Sequence, residues 1–289
     1  MIVRPLRSVL YMPASNQRAL EKARTLAADA LVFDLEDAVG PSAKEEARGL
    51  AVAAVKSAAY GHREIIVRAN SLDTEWGEAD VRAIAQSGAD GICMPKVEHA
   101  AEVEAVIKLL NEAAAPATMQ VWVMIETPLG VQNINEIVAA DSRMTVVVMG
   151  TTDLAKDLRV PHTADRLGLQ HALSRCVLAA RIYNKDILDG VYLDLKDAEG
   201  FAASCAQGRS LGFDGKTLIH PNQLEAANRA FGLDEADLLH AQRVIDAWEI
   251  AAAEGKGVAV VDGKLVEAMH IDEARRDLAM AAAIAALAV

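Results

Sequence analysis

The sequence is short of cysteine. Cys93, Cys176 and Cys205 are the only three in 289 residues, and no two stand in CxxC spacing. An odd, scattered set argues against a disulfide framework or a zinc site and reads as small buried hydrophobes in a reducing cytosol. Positive charge is also scarce. Lys and Arg total 29 against 41 Asp and Glu, a net charge of −12, which gives no general attraction for nucleic acid or anionic membrane. Long apolar runs are missing: the alanine-rich end "LAMAAAIAALAV" (278–289) is too short to span a bilayer and reads as a terminal helix packed on another surface. The opening "MIVRPLRSVL" carries two arginines but no apolar core behind them, so no signal peptide and a cytoplasmic location are expected. Neither GxGxxG nor GxxxxGK[ST] occurs, which removes the main support for dinucleotide and P-loop readings.

What is present is a repeated alternation. Eight β-prone runs stand at 7–13, 30–37, 64–70, 91–97, 120–127, 144–150, 189–194 and 216–220. Their near-continuous apolar character suits parallel strands buried on both faces. Between them lie segments such as "AKEEARGLAVAAVKSAA", with apolar residues every three or four positions, the spacing of amphipathic helices. Ser42 and Asp73 stand where helix N-caps are expected. Strand and helix repeated eight times predict a (β/α)8 TIM barrel, with a doubly wound open sheet as the alternative. The likeness of "SGADGI" to "LGFDGKT" points to repeated architecture, not to a phosphate loop. Residues 1–232 are expected to form the barrel and 233–289 a C-terminal helical extension and lid, with a hairpin turn at Asp262-Gly263.

In such a barrel the chemistry sits at the C-terminal strand ends. These read as Glu36-Asp37, Arg68 and Asn70, Lys96, Glu126, "GTTD" with Asp153, Asp194 and His220. Glu126 closes the apolar run "QVWVMI", and a lone buried carboxylate requires a partner. Glu126 and Asp153 are hard oxygen ligands suited to Mg²⁺, or they bond a Lys or Arg across the barrel mouth. Glu36 and Asp37 are candidates for the metal's waters or for a salt bridge. Arg68 offers a fork for a carboxylate or enolate oxygen, or it pairs with Glu36 or Asp37. The backbone at Gly150 and Thr151 has N–H groups that can grip a carboxylate. His220 reads as a structural hydrogen-bonding group. Arg18 and Lys22 are candidate phosphate contacts or solvated surface charges.

Several of these stretches resemble one family. "RSVLYMPASN", "VFDLEDAV", "IVRAN", "MPKV", "MIETPLGV", "MGTTDLAKDL", "GFDGKTLIHPNQ" and "VDGKLVE" are similar to the citrate lyase β-subunit-like group, which includes malyl-CoA and citramalyl-CoA lyases within the HpcH/HpaI aldolase superfamily. The resemblance implies a Mg²⁺-dependent enzyme, with Mn²⁺ as a possible substitute and CoA as part of the substrate. It implies a homo-oligomer, trimer or hexamer, binding a CoA thioester and a 2-oxo acid. It assigns the metal to Glu126 and Asp153, enolate stabilisation to Arg68, the keto-acid carboxylate to Gly150 and Thr151, and the metal's waters to Glu36 and Asp37. Where many relatives have a lid aspartate from a neighbouring subunit, "DGKLVE" places Glu267 as acid/base. The expected reaction is cleavage or formation of a 3-hydroxyacyl-CoA such as malyl-CoA or citramalyl-CoA, giving acyl-CoA plus glyoxylate or pyruvate. The alternatives are a (3S)-malyl-CoA thioesterase, a citrate lyase β subunit acting with an acyl-carrier partner, and an aldolase acting on free pyruvate. The aldolase branch carries His where this chain has Asp37.

Overall fold

A computed structural model describes residues 4–287. Among them, eight parallel strands close into a barrel in sequence order: β1 Ser8–Pro13, β2 Ala30–Asp34, β3 Glu64–Arg68, β4 Gly91–Met94, β5 Gln120–Ile125, β6 Met144–Met149, β7 Asp186–Asp189 and β8 Gly215–Leu218. Closure runs through β1, which pairs with β2 on one side and β8 on the other. The apolar runs are buried on both faces because alternate residues point into the barrel and out to the surrounding helices. The inward set includes Val9, Val32, Ile66, Cys93, Trp122, Met124, Val146, Val148 and Leu188, and a fully buried Trp122 fills much of the interior. All three cysteines are free and buried. Burial pushes the Cys176 thiol up to about 12 and the Cys205 thiol up to about 11, so they pack as inert side chains.

The seventh expected strand requires correction. β7 covers Asp186–Asp189, whereas the run 189–194 leaves the barrel after its first residue. Asp189 disguises the strand because it is charged, yet its carboxylate is fully buried. It is held by Lys216 Nζ at 2.7 Å and Arg166 Nη1 at 2.6 Å. Two cap expectations also move. Ser42 lies inside the short 3₁₀ turn Pro41–Ala43, and the helix near Asp73 begins at Gly77 with Trp76 at its N-cap position. Asp73 instead accepts from Ser71 Oγ at 3.0 Å in the preceding turn.

The repeated "D-[AG]" before a strand has a physical job. Asp29, Asp90 and Asp214 directly precede β2, β4 and β8. Each accepts a backbone N–H at the start of the preceding strand: Arg7 at 2.8 Å, Ile65 at 2.7 Å and Ile187 at 2.7 Å. These bonds lie at the N-terminal face of the barrel, the face associated with stability.

The chain divides into two compact units, one spanning Leu6–Ala230 and the other running from Phe231 onward together with the first residues. In the second, the helices Glu235–Ala253 and Ala268–Leu287 and the antiparallel pair β9 Ala259–Val261 and β10 Lys264–Val266 share a small core. It includes Ala241, Val244, Val266 and Ile271. The Asp262-Gly263 turn joins the two strands as expected, both residues having positive φ. Among the described residues, no helix is long and apolar enough to cross a membrane.

Candidate active site

A cavity of about 500 Å³ opens at the C-terminal strand ends, within the range of small-molecule sites. Asp37, Arg68, Glu126, Gly150, Thr151 and Asp153 all line it, as do Tyr11, Asp34, Met124, Val191, Leu193 and Ile219. Six expected site residues therefore converge. Glu36, 7% exposed, stands behind them and reaches the site through its ionic partners.

Strand register explains the central ion pair. Asp34 and Arg68 are direct partners in the β2–β3 ladder, and their side chains share the inward face. Asp34 Oδ1 accepts from Arg68 Nε at 2.7 Å and Oδ2 from Nη2 at 2.6 Å, a bidentate pair. The guanidinium lies over the Tyr11 ring, 4.8 Å from its centroid. Nη1 is not held by Asp34 and lies 2.8 Å from Glu36 Oε2 and 3.5 Å from Asp37 Oδ2. Glu36 Oε2 has no hydrogen-bond partner despite that proximity, so this contact is ionic and badly aligned. Arg68 does pair with Glu36 and Asp37, but Asp34 is its principal partner. One edge of the fork expected to face a substrate is thus committed to the protein.

Lys96 organises the acidic side. Its backbone is left-handed, φ +53°, a conformation that costs a β-carbon-bearing residue about 1–2 kcal/mol. Its N–H donates to Glu126 Oε1 at 2.9 Å, and its Nζ reaches Glu36 Oε1 at 3.1 Å. Lys44, buried, donates from Nζ to the carbonyls of Leu35 and Glu36 and to Asn70 Oδ1, fixing the loop that carries Glu36 and Asp37. Asn70, expected at a strand end, is thereby structural.

Glu126 is only 2% exposed. Its carboxyl is pushed up to about 7, first by burial and then by Glu36 and Asp153, against the pull of the Lys96 N–H and Arg68. Arg68 and Lys96 are committed to Asp34 and Glu36, which leaves Glu126 and Asp153 as like-charged oxygens beside one cavity. Their chemistry fits a hard divalent cation completed by waters and ligand oxygens. Among the described residues, no three His, Cys, Asp or Glu side chains form a protein-only cage, so the fit is to an open site.

Glycine makes this crowding possible. A β-carbon on Gly150 would overlap the Glu126 side chain, and one on Gly190 would overlap the Thr151 side chain and the Met149 carbonyl. Gly150 is also the N-cap position of the helix Thr151–Leu158, whose free N–H groups and dipole suit an anionic oxygen.

Other candidates fall elsewhere. Asp194, read as a strand end, is an exposed loop residue that accepts from the Lys196 N–H. His220 caps the next turn by accepting from the Asn222 N–H at 3.2 Å, the structural use expected. Arg18 and Lys22 are exposed on the helix Gln17–Ala23. Glu267 belongs to the other unit, at the start of its last helix. There it is exposed and donates its N–H to His270 Nδ1 at 3.0 Å. Asp34, Tyr11 and the backbone of Lys96 escaped the sequence reading. The signal for Asp34 was inside "VFDLEDAV", where alternation puts Asp34 on the same face as Val32.

The family model for HpcH/HpaI aldolase/citrate lyase matches residues 7–221. A (3S)-malyl-CoA thioesterase of Cereibacter sphaeroides is 53% identical over 282 residues, covering 98% of this chain and 96% of that one. The citrate lyase subunit beta of Escherichia coli is 35% identical over 283 residues, covering 96% and 94%. Among solved structures, CitE of Mycobacterium tuberculosis in complex with magnesium, acetoacetate and coenzyme A superposes with a TM-score of 0.77. It is 28% identical, with 98% of this chain and 100% of that one covered. With the barrel, the carboxylates at its mouth and relatives matched over nearly their whole length, the chain is an enzyme of the HpcH/HpaI aldolase/citrate lyase family.

Proposed function

We propose that the chain hydrolyses the thioester of a short hydroxydicarboxylic acyl-CoA of the malyl-CoA class. The observation that carries this reading is the 53% identity to (3S)-malyl-CoA thioesterase across 98% of the chain. The geometry supports it. Glu126 and Asp153 would hold Mg²⁺, which when bound supplies positive charge to the substrate's carboxylate and hydroxyl oxygens. The Gly150 N–H, expected to grip that carboxylate, is already donated to the Ile125 carbonyl at 3.0 Å, so the N–H of Thr151, in the first turn of the helix Thr151–Leu158, orients it. Arg68 Nη1 faces the thioester oxygen and stabilises the negative charge that develops there. Asp37, exposed at the rim, and Glu36 polarise water entering the site. Met149, Val191, Leu193 and Ile219 form the apolar side of the cavity and shield the acyl carbons from solvent. The cavity takes the acyl end and leaves the nucleotide end of CoA outside.

A second reading, carbon–carbon cleavage to acyl-CoA plus glyoxylate or pyruvate, is favoured by the 35% identity to a citrate lyase subunit. Both readings use the same carboxylates and Arg68. In both, Glu267 arrives from a second copy of the chain in a homo-oligomer and moves the proton. Residues 1–232 serve as the catalytic barrel and 233–289 as the lid. Incubation with malyl-CoA and Mg²⁺, assaying free CoA and glyoxylate separately, decides between them. Free CoA without glyoxylate is the expected result, glyoxylate with acetyl-CoA establishes cleavage, and neither product refutes both.

A further inference from the structure

We propose that Asp34 is the positioning residue for Arg68, setting which guanidinium nitrogen meets the substrate oxygen and how far it stands from the carboxylates of the next loop. The inference rests on the reading that Arg68 faces the reacting oxygen.

Asp34 is 1% exposed and uses both oxygens twice. Each takes one N–H of the Arg68 side-on edge. Oδ1 also accepts from the Glu36 backbone N–H at 2.8 Å and Oδ2 from that of Ala38 at 3.1 Å. One carboxylate therefore ties together the guanidinium and the turn that carries Glu36 and Asp37. Charge neutralisation does not require it, because Glu36 already lies 2.8 Å from Nη1. What Glu36 does not provide is direction, since its oxygen makes no hydrogen bond. Asp34 provides direction through two parallel bonds, which fix the rotation of the guanidinium plane. The Tyr11 ring supports one face of that plane. Without Asp34 the charge would remain beside Glu36 and Asp37, but nothing would fix the rotation of the guanidinium plane, and Nη1 would lose its set direction toward the cavity. Orientation of this kind acts on the transition state more than on ground-state binding.

Three measurements test this. In the wild-type chain, nitrogen NMR of the Arg68 side chain should show a protected Nε–H and distinct Nη1 and Nη2 signals. Free rotation that averages the two would overturn the proposal, and this arm needs no variant to fold. Asp34→Asn keeps one carbonyl acceptor for the turn but breaks the charged fork. With malyl-CoA and Mg²⁺, its kcat should fall by about tenfold or more while KM stays within about threefold. An unchanged kcat overturns the proposal. Finally, Asp34→Asn should cost almost nothing further in an Arg68→Ala background, because a residue acting through Arg68 has nothing left to position. Additive losses would show that Asp34 acts independently and would also overturn it. If the wild-type chain consumes no CoA ester, the functional reading fails, and the NMR arm alone still decides the role of Asp34.

Discussion

Proton and divalent cation should compete for Glu126. Its carboxyl stands at about 7, raised from 4.5 first by burial and then by Glu36. The ionised form binds a hard cation, so the proton must leave first. A group titrating at about 7 is ionised about nine-tenths at pH 8 and about one-tenth at pH 6. The apparent Kd for Mg²⁺ should therefore weaken about tenfold across that range, or ~1.4 kcal/mol. Titration calorimetry in buffers of different ionisation enthalpy reads both quantities: affinity, and protons released per ion, close to one at pH 6 and close to none at pH 8. In the metal-free chain the sign reverses for stability. A carboxyl raised on folding stabilises the fold below about 4.5, and that contribution is lost as pH rises through about 7. The Tm in chelator should therefore fall over this window, with Glu36, also raised by burial, contributing part of the slope. Glu126→Gln should flatten its own share. A Kd that does not change between pH 6 and 8, with no proton released, would refute the reasoning.

Gly150→Ala adds a methyl that overlaps Glu126; Mg²⁺ affinity should drop more than tenfold, with a stability loss of about 1–3 kcal/mol, measured by calorimetry and denaturant unfolding. Asp189→Asn leaves Lys216 and Arg166 buried without their counter-charge and should destabilise the chain by about 3–5 kcal/mol; an unfolding midpoint equal to wild type would contradict the pairing. Glu267→Gln should abolish release of free CoA from malyl-CoA and leave Mg²⁺ affinity intact. Coexpressed with Glu126→Ala it should recover part of the activity through mixed oligomers, and no recovery from verified mixed oligomers would return Glu267 to its own barrel or to the surface.

The barrel was legible because its strands advertise themselves: a run such as "TVVVM" is apolar on both faces, as a strand between interior and helices must be. The seventh was displaced because "DILD" buries a charge that looks exposed in sequence, and the charge is tolerated only through Lys216 and Arg166, which lie 27 and 23 residues away from Asp189. The apolar "VYL" that replaced it in the reading lies instead in a loop, where Val191 and Leu193 line the cavity. The same limit hid Asp34. A strand-end carboxylate stands out after the last apolar residue, as Glu126 does just beyond β5, whereas a charged residue inside the ladder does not. Lys96 escaped for another reason: its backbone N–H carries the contact to Glu126, and a backbone donor leaves no mark in the residue type.

The arrangement at the mouth separates its carboxylates by what each can be given. Asp34 and Glu36 take the cations on hand, Arg68 and Lys96. Glu126 receives a single backbone N–H and otherwise faces Glu36 and Asp153, charges of its own sign. A fold selected for stability alone would gain by replacing such a group with an apolar one of similar volume. Gly150 works in the opposite direction, giving up a side chain so that Glu126 fits beside β6. Charges at the ends of β2, β3 and β4 thus pair with one another, and the carboxylates after β5 and β6 find no such counter-charge in the protein. That asymmetry leaves Glu126, Asp153 and the Arg68 guanidinium lining one cavity. Under the proposed reading, an anionic acyl group would meet a cation held by Glu126 and Asp153 at one end and the Arg68 guanidinium at the other, the two places where that chemistry needs positive charge.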